Sequence, residues 1–243
     1  MKTTMIVQAR MGSSRLPGKV LELIQGRTML ARVCDRAGRA TLVDELLVAT
    51  GNTAQDDPVA EECRRLGVAC FRGSEDDVLD RFHYAAQWRD AELVVRITAD
   101  CPLIDAALID EVVAAMFVHR PDYASNTLRR TYPRGLDVEV MTAAALARAW
   151  RDARQPYERT HVTPYFYRNP QLFQLYSVTG EEEMGHWRWT VDTREDLALV
   201  RAVYRRLGDK EAFSWQDVCR TLAREPSLAD LNRHIPQKQL VEG

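Results

Sequence analysis

One stretch near the amino terminus decides the fold, and residues 4–19 read Thr4-Met5-Ile6-Val7-Gln8-Ala9-Arg10-Met11-Gly12-Ser13-Ser14-Arg15-Leu16-Pro17-Gly18-Lys19. Residues 4–9 are apolar and partly β-branched, which predicts a buried strand, and residues 10–19 form a loop with two glycines and a proline. Apolar residues at helical spacing follow over 28–40, with Thr28 as the expected N-cap. This order of strand, glycine-bearing loop and helix is typical of the first unit of a parallel α/β sheet.

The alternation of strands and helices continues to residue 118. We expect strands at 45–50, 68–71 and 92–98, and helices at 57–66, 75–88 and 105–118. With the first strand and helix they make four βα units, and right-handed crossovers assemble such units into a doubly wound, mostly parallel α/β sheet. Ligands of these sheets bind at the carboxyl ends of the strands, which is where the 10–19 loop falls.

The regular alternation weakens after residue 120. We expect an α+β insert at about 120–180, with an irregular stretch at 123–131, strands at 136–141 and 172–178, and a helix at 142–154. After the insert, the pattern predicts a short strand at 187–191, amphipathic helices at 194–207 and 214–225, and a polar tail at 226–243. Residues 1–225 are expected to form a single domain.

Composition excludes several classes of protein. The 243 residues carry 33 Lys plus Arg against 35 Asp plus Glu, a formal charge of −2, so the chain lacks the basic excess of a non-specific nucleic-acid binder. No apolar run reaches the roughly 18 residues that cross a bilayer. The five cysteines form no C-x-x-C pair, and no apolar signal segment opens the chain. A cytoplasmic protein is therefore expected.

The 10–19 loop has the chemistry of a polyphosphate site. Glycines let backbone N–H groups approach oxygens, hydroxyls donate, and arginine and lysine side chains neutralise charge. The residues concerned are Gly12, Gly18, Ser13, Ser14, Arg10, Arg15 and Lys19. The loop is not a Walker A motif, because five residues separate the two glycines and Val20 follows the lysine. A solvated turn with incidental cations is the alternative.

Two aspartates come directly after predicted strands. Asp100 precedes Cys101-Pro102, where the proline prevents a central strand from continuing, and Asp192 ends the short 187–191 segment. Each carboxylate is either a ligand at the functional edge of the sheet or an ordinary turn or helix-capping residue. In the first case the two together suit Mg²⁺, which prefers oxygen ligands and substrate phosphates.

These motifs together resemble those of the cytidylyltransferase family. The resemblance rests first on the segment at 8–19, then on Ala99-Asp100-Cys101-Pro102-Leu103-Ile104 and Trp189-Thr190-Val191-Asp192-Thr193-Arg194-Glu195-Asp196-Leu197. Further similarity, at 72–81, 125–127, 133–139 and 158–165, is to the branch named after the spore coat polysaccharide biosynthesis protein SpsF, which is related to enzymes that make CMP-activated sugar acids. The resemblance covers about residues 3–207.

The resemblance implies a nucleotidyltransferase fold of the glycosyltransferase-A type, in which a sugar hydroxyl attacks the α-phosphate of CTP and pyrophosphate leaves. Lys19, Arg10 and Arg15 are the implied catalytic cations, and Asp100 with Asp192 would hold Mg²⁺. Residues 72–81 would border cytosine and ribose. The implied nucleotide-binding residues are Ala9, Arg10, Gly12, Ser13, Ser14, Arg15, Lys19, Arg72, Ser74, Asp80, Arg81 and Asp100. Surface polysaccharide or glycan biosynthesis is the implied setting.

The insert is the expected acceptor side. Arg134 and Arg159 are candidates to bind a sugar carboxylate or phosphate, and Asp137, Glu139, Glu158 and His161 are candidates to contact hydroxyls. Each is equally an unremarkable polar residue of a solvated segment. In the family the insert commonly forms a homodimer interface, so a homodimer is implied. The insert motifs of the octulosonate enzymes are absent here, which leaves the acceptor open.

Two other functions compete with cytidylyl transfer. A glycosyltransferase that uses a nucleotide sugar is possible on a similar sheet, but such enzymes usually hold metal with an Asp-x-Asp turn, and Asp100-Cys101-Pro102 lacks the second aspartate. A non-catalytic nucleotide sensor would predict loss of Lys19 or of a metal aspartate, and all are present.

Overall fold

The computed structural model describes residues 1–208 and 213–237. The strands are β1 (Thr3–Gln8), β2 (Leu23–Ile24), β3 (Arg27–Thr28), β4 (Glu45–Gly51), β5 (Ala69–Gly73), β6 (Leu93–Thr98), β7 (Tyr123–Ser125), β8 (Glu139–Thr142) and β9 (Leu175–Ser177). The helices are α1 (Met29–Ala37), α2 (Asp57–Leu66), α3 (Val78–Trp88), α4 (Ala106–His119), α5 (Ala143–Asp152), α6 (Pro156–His161), α7 (Pro164–Arg168), α8 (Arg194–Leu207), α9 (Trp215–Arg224) and α10 (Pro226–Asp230).

Seven strands form the central sheet in the order β5-β4-β1-β6-β8-β7-β9. β1 pairs in parallel with β4 on one side and β6 on the other, and β4 pairs in parallel with β5. β8 is antiparallel to both β6 and β7, and β7 is parallel to β9. The predicted doubly wound, mostly parallel α/β fold is confirmed. Because the strand order reverses at β1, the loops that follow β1 and β6 lie side by side.

The core lies on both faces of the sheet, and β1 shows why. Its Met5 and Val7 side chains belong to one buried cluster, which includes residues of α1, α4 and α8. Its Ile6 side chain belongs to the other, which includes residues of α3 and α5. Since alternate residues of a strand point to opposite faces, the apolar run at residues 5–7 of β1 requires helices on both sides.

The structure corrects the expectations for three segments. Tyr123–Ser125, expected to be irregular, is strand β7 and fully buried. Residues 187–191 form no strand, and their sheet-like contact is a single bridge between Arg134 and Arg188. Part of the expected polar tail is structured, because α10 forms there and Leu228 is buried. Residues 238–243 of that tail lie outside the described residues.

The insert extends the main sheet, since β7, β8 and β9 are its last three strands. Its helices α5 and α7 include buried residues of the same core that α3 joins. Among the described residues, no helix combines the length and apolar character needed to span a membrane.

Gly135 allows the 187–191 segment to dock beside the sheet. Its φ of +102° is in the region that favours glycine, and a Cβ there would lie 2.5 Å from the backbone nitrogen of Thr190. The neighbouring Arg134 donates its backbone N–H to Trp187 (3.0 Å) and accepts one from Trp189 (2.7 Å). The segment that carries Asp192 is therefore held at close backbone contact with the insert.

Gly135→Ala is expected to lower the free energy of unfolding by about 3 kcal/mol, because the methyl group adds a clash to an unfavourable φ. Gly26→Ala is the matched control, since Gly26 also has a positive φ (+75°) but nothing within 4 Å of the added Cβ, and about 1 kcal/mol is expected. Urea denaturation measures both. Equal losses would show that contact with residues 187–191 does not require glycine.

Candidate active site

A cavity of about 1200 Å³ opens at the carboxyl ends of β1 and β6, and we call it the first cavity. It brings together the loop after β1, the turn after β6, the insert and the segment that ends at Asp192. The predicted site residues that line it are Arg10, Gly12, Ser13, Ser14, Arg15, Lys19, Asp100, Arg134, Asp137, Glu139, His161 and Asp192. Residues from distant parts of the sequence therefore meet at the edge where ligands of such sheets bind.

Lys19 lines this cavity and joins three of its segments. Its Nζ donates to Oδ2 of Asp100 (2.7 Å), to Oδ1 of Asp192 (2.8 Å) and to the backbone oxygen of Val191 (2.8 Å). Burial would lower the pKa of Lys19, but the two carboxylates outweigh burial and raise the pKa above its ordinary value. The ammonium is therefore charged at neutral pH.

Asp100 is fixed by its neighbours as well as by Lys19. Burial would raise the pKa of Asp100, but the Lys19 ammonium and the hydroxyl of Thr98, which donates to Oδ1 at 2.6 Å, lower it below the usual range. Both predicted strand-end aspartates thus meet at one ammonium. Neither is an ordinary exposed turn residue.

Two arginines complete the charge balance around Asp192. Arg15 Nη2 lies 2.7 Å and Arg188 Nη2 2.6 Å from Asp192 Oδ2. Arg188 also donates to the fully buried Asp196, whose Oδ2 accepts the backbone N–H of Asp192 at 2.9 Å. We call Lys19, Arg15, Arg188, Asp100, Asp192 and Asp196 the charge cluster. It contains three cations and three carboxylates, so its formal charge is zero.

Sequence reasoning missed Arg188 and Asp196. Thr193 caps α8, and the Asp196 carboxylate accepts the backbone N–H of Thr193. This reciprocal pair is a capping box, which the T-x-x-D spacing in the sequence indicates. The spacing alone gives no sign that the same carboxylate also holds Arg188 against Asp192. That second contact depends on how residues 187–191 dock.

A buried carboxylate that sequence reasoning also missed shapes the 10–19 loop. Asp56 accepts the backbone N–H of Met11 (2.7 Å) and that of Gly51 (2.8 Å), which ties the loop to the end of β4. Within the loop, Gly18 donates its N–H to the backbone oxygen of Met11 at 3.0 Å. Ala9, predicted to bind nucleotide, is buried and donates its backbone N–H to Ala49 at 3.1 Å.

The carboxylate oxygens of Asp100 and Asp192 are suitable ligands for a divalent metal ion. Two carboxylate oxygens, from Asp100 and Asp192, converge on one point within 2.8 Å, and oxygen is the ligand that Mg²⁺ prefers. The Lys19 ammonium holds that point. In the described part of the chain, no group of three or more His, Cys, Asp or Glu residues is placed to hold a metal on protein ligands alone.

The segment predicted to border the base lines a second cavity of about 600 Å³. Arg72, Ser74, Asp80 and Arg81 all line it. Arg81 is fully buried and donates to the backbone oxygen of Ser74 at 3.0 Å. Burial lowers the pKa of Arg81 to about 10, and nearby Arg10 acts in the same direction. Arg10 itself lines the first cavity.

The insert side of the first cavity contains paired and unpaired charges. Arg130 makes two bonds to Asp137, at 2.6 and 2.9 Å, and Arg96 pairs with Glu139. Arg134 makes no ion pair or side-chain hydrogen bond with any residue that the structure describes. Burial lowers the pKa of Arg134, and nearby Arg130 acts in the same direction. Arg134 is thus a cation available to a ligand.

Two predicted acceptor residues have structural contacts instead. Glu158 is buried and accepts the backbone N–H of Arg154 and of Gln155, both at 3.1 Å, which caps α6. Arg159 pairs with Asp77 (2.8 Å from Nε) and joins α6 to α3. Neither lines the first cavity, and their expected contact with substrate stays a prediction. His161, by contrast, does line it.

A doubly wound sheet whose first loop presents arginine and lysine beside two convergent carboxylates is a site suited to a nucleoside triphosphate. A family model described as cytidylyltransferase matches residues 4–207. The chain belongs to the cytidylyltransferase family, and it is a CTP-dependent nucleotidyltransferase.

The chain is similar to relatives over nearly its whole length. It is 36% identical to an uncharacterized protein of Methanocaldococcus jannaschii, across 100% of the chain and 99% of that protein. It is 32% identical to the spore coat polysaccharide biosynthesis protein SpsF of Bacillus subtilis, across 92% of the chain and 95% of SpsF. Among solved structures, a cytidylyltransferase from Leptospira borgpetersenii matches with a TM-score of 0.91 and 31% identity, covering 98% of the chain and 100% of that structure.

Asp100→Asn is expected to cost about 2 kcal/mol of unfolding free energy near neutral pH, since it removes one partner of a largely buried ion pair. The pKa of Asp100 is lowered in the folded state, so its contribution is present above the ordinary value of 3.8 and is lost as the pH falls through the lowered pKa. The raised pKa of Lys19 keeps the ammonium charged to above 10.5. The loss of unfolding free energy in the variant should therefore stay constant from roughly pH 5 to 9 and become smaller below pH 3.8.

Urea denaturation as a function of pH measures this deficit. Asp90→Asn at an exposed turn is the control, and a change below about 0.5 kcal/mol is expected for it. A deficit for Asp100→Asn that did not change with acid would contradict the ion pair.

Proposed function

We propose that the protein transfers CMP from CTP to a hydroxyl of a sugar or sugar acid, with release of pyrophosphate. One observation carries the proposal: a single cavity joins a cationic loop and two convergent carboxylates to an insert with an unpaired arginine. The sugar oxygen forms a bond to the α-phosphorus, and the bond from that phosphorus to the β-phosphate oxygen breaks. Similarity to SpsF supports surface polysaccharide or glycan biosynthesis as the setting.

The triphosphate is proposed to bind at the loop after β1. A triphosphate carries about four negative charges at neutral pH, and the transition state concentrates charge on the transferred and departing groups. Arg10, Arg15 and Lys19 supply positive charge there, while Ser13 and Ser14 supply donors. The base and ribose are proposed to extend past Arg10 to the second cavity.

Asp100 and Asp192 are the proposed Mg²⁺ ligands. When bound there, Mg²⁺ would polarise the α-phosphate and neutralise charge on the leaving pyrophosphate. Thr98 and Arg188 orient the two carboxylates through the hydrogen bonds described above. Arg15 already contacts Asp192, so it is placed to reach phosphate oxygens beside the same carboxylate.

The acceptor is proposed to bind at the insert end of the first cavity. Arg134, which has no ion pair in the described chain, suits a carboxylate or phosphate of the sugar. Asp137 accepts from Arg130, and Glu139 accepts from Arg96 and from the Tyr123 hydroxyl. Each carboxylate oxygen has a second lone pair for a substrate hydroxyl. The insert is also the proposed contact of a homodimer, which sedimentation velocity would test.

Calorimetric titration with CTP, UTP, ATP and UDP-sugars in the presence of Mg²⁺ tests the nucleotide. Selective CTP binding is expected, because the loop suits an intact triphosphate. Arg15→Ala should weaken CTP binding far more than CMP binding, since its guanidinium lies at the polyphosphate end of the cavity. Preference for a UDP-sugar would favour the glycosyltransferase instead, and equal losses for CTP and CMP would contradict the role of Arg15.

Turnover is tested by pyrophosphate release from CTP with a panel of sugars and sugar acids. Lys19→Ala should lower the rate on the order of a hundredfold or more, as removal of a preorganised charge at the transferred phosphate does. Asp100→Asn and Asp192→Asn should each abolish Mg²⁺-dependent turnover. Full activity in either aspartate variant would contradict the metal assignment.

Arg134→Gln should raise the KM for an acidic acceptor at least about tenfold and leave the KM for CTP within about twofold, because the side chain lies at the acceptor end. Arg129→Gln is the matched control, since Arg129 is exposed on the same connection and pairs with Glu183 outside the first cavity. If both variants behaved alike, Arg134 would have no specific part in acceptor binding.

A further inference from the structure

Lys19 occupies the point where a metal ion would have to bind. Its Nζ lies 2.7 Å from Asp100 Oδ2 and 2.8 Å from both Asp192 Oδ1 and the Val191 backbone oxygen. The same two carboxylate oxygens are the proposed metal ligands. A metal ion at this point would have to displace the ammonium, because Nζ fills the space between the two carboxylates.

The charge cluster gives the free protein no excess negative charge to attract a divalent ion. Its three carboxylates are matched by Lys19, Arg15 and Arg188, and every carboxylate has a cation within 2.9 Å. A divalent ion that entered would have to displace an ammonium into a cavity already rich in arginine. Ion binding becomes favourable only when new negative charge gives the ammonium another partner.

We propose that Lys19 is a resident counter-ion that a divalent metal ion replaces only when a triphosphate is present. The triphosphate draws the ammonium from the carboxylates to its own oxygens, and the vacated carboxylates of Asp100 and Asp192 take the metal ion. Lysine suits this exchange, since its charge is compact and its four-carbon stem is flexible. The proposal rests on the proposed function, and it adds that the metal site is closed in the free enzyme.

Binding of Mn²⁺ to the nucleotide-free protein, followed by electron paramagnetic resonance of the unbound ion, tests this exchange without any measurement of turnover. Wild-type protein should bind Mn²⁺ only weakly. Lys19→Met, which keeps the stem and removes the ammonium, should bind Mn²⁺ about tenfold more tightly or better, because two carboxylates lose their shared cation. Equal affinities in the two proteins would overturn the proposal.

Arg10→Met is the matched control. Arg10 lines the same cavity, so its removal changes the net charge by the same amount, but no contact joins it to Asp100 or Asp192 among the described residues. It should gain no comparable Mn²⁺ affinity. An equal gain would mean that overall charge, and not release of the carboxylates, controls the ion, which would also overturn the proposal.

A second substitution locates the site. Adding Asp192→Asn to Lys19→Met should return Mn²⁺ affinity to the wild-type level, and retention of tight binding would contradict the assignment. Circular dichroism verifies the fold, and Lys19→Gln replaces Lys19→Met if the latter does not fold. CTP titration of the wild type tests the proposed function separately, and absence of CTP binding would contradict that function. The Mn²⁺ affinities of the nucleotide-free proteins test the exchange of Lys19 for a metal ion.

Discussion

The site depends on one ammonium group held between two carboxylates. Lys19 reaches Asp100 across 81 residues of sequence and Asp192 across 173, so this contact joins the first loop, the turn after β6 and the segment beyond the insert. Each partner needs support of its own, from Thr98 for Asp100 and from Arg188 for Asp192. The sheet topology, the docking of residues 187–191 and the paired charges all serve to hold these three side chains together.

Much of the fold is predictable because the first four βα units carry strong local signals. β1 has a central run of three apolar residues, and a period of 3.6 marks the helices that cover it. The insert is less predictable because its strands are short and their partners are distant in sequence. Tyr123–Ser125 has only three residues, too few for a pattern. Residues 187–191 look like a strand, yet backbone contact with Arg134 and Asp100 holds them outside the sheet.

The site likewise contains residues that the sequence predicts and residues that it does not. Lys19 stands out in the sequence because it belongs to the loop after β1, and Asp100 and Asp192 because each follows a predicted strand. The structure brings the three into contact. Arg188 and Asp196 do not stand out, because their importance comes from a tertiary contact. In the insert, Glu158 looks available to substrate from the sequence, and in the structure it caps a helix. A polar residue in an insert can serve local structure as readily as a ligand, and only the tertiary contacts distinguish the two.

The central claim is that one cavity holds the triphosphate against the Lys19 loop and directs the base past Arg10. A crystal structure of the protein with CTP and Mg²⁺ tests this most directly. The account predicts phosphate density in contact with Arg15 and Lys19, metal density between Asp100 and Asp192, and the cytosine at the second cavity. A nucleotide bound elsewhere, or a triphosphate that leaves Lys19 in its contacts with both carboxylates, would contradict the account.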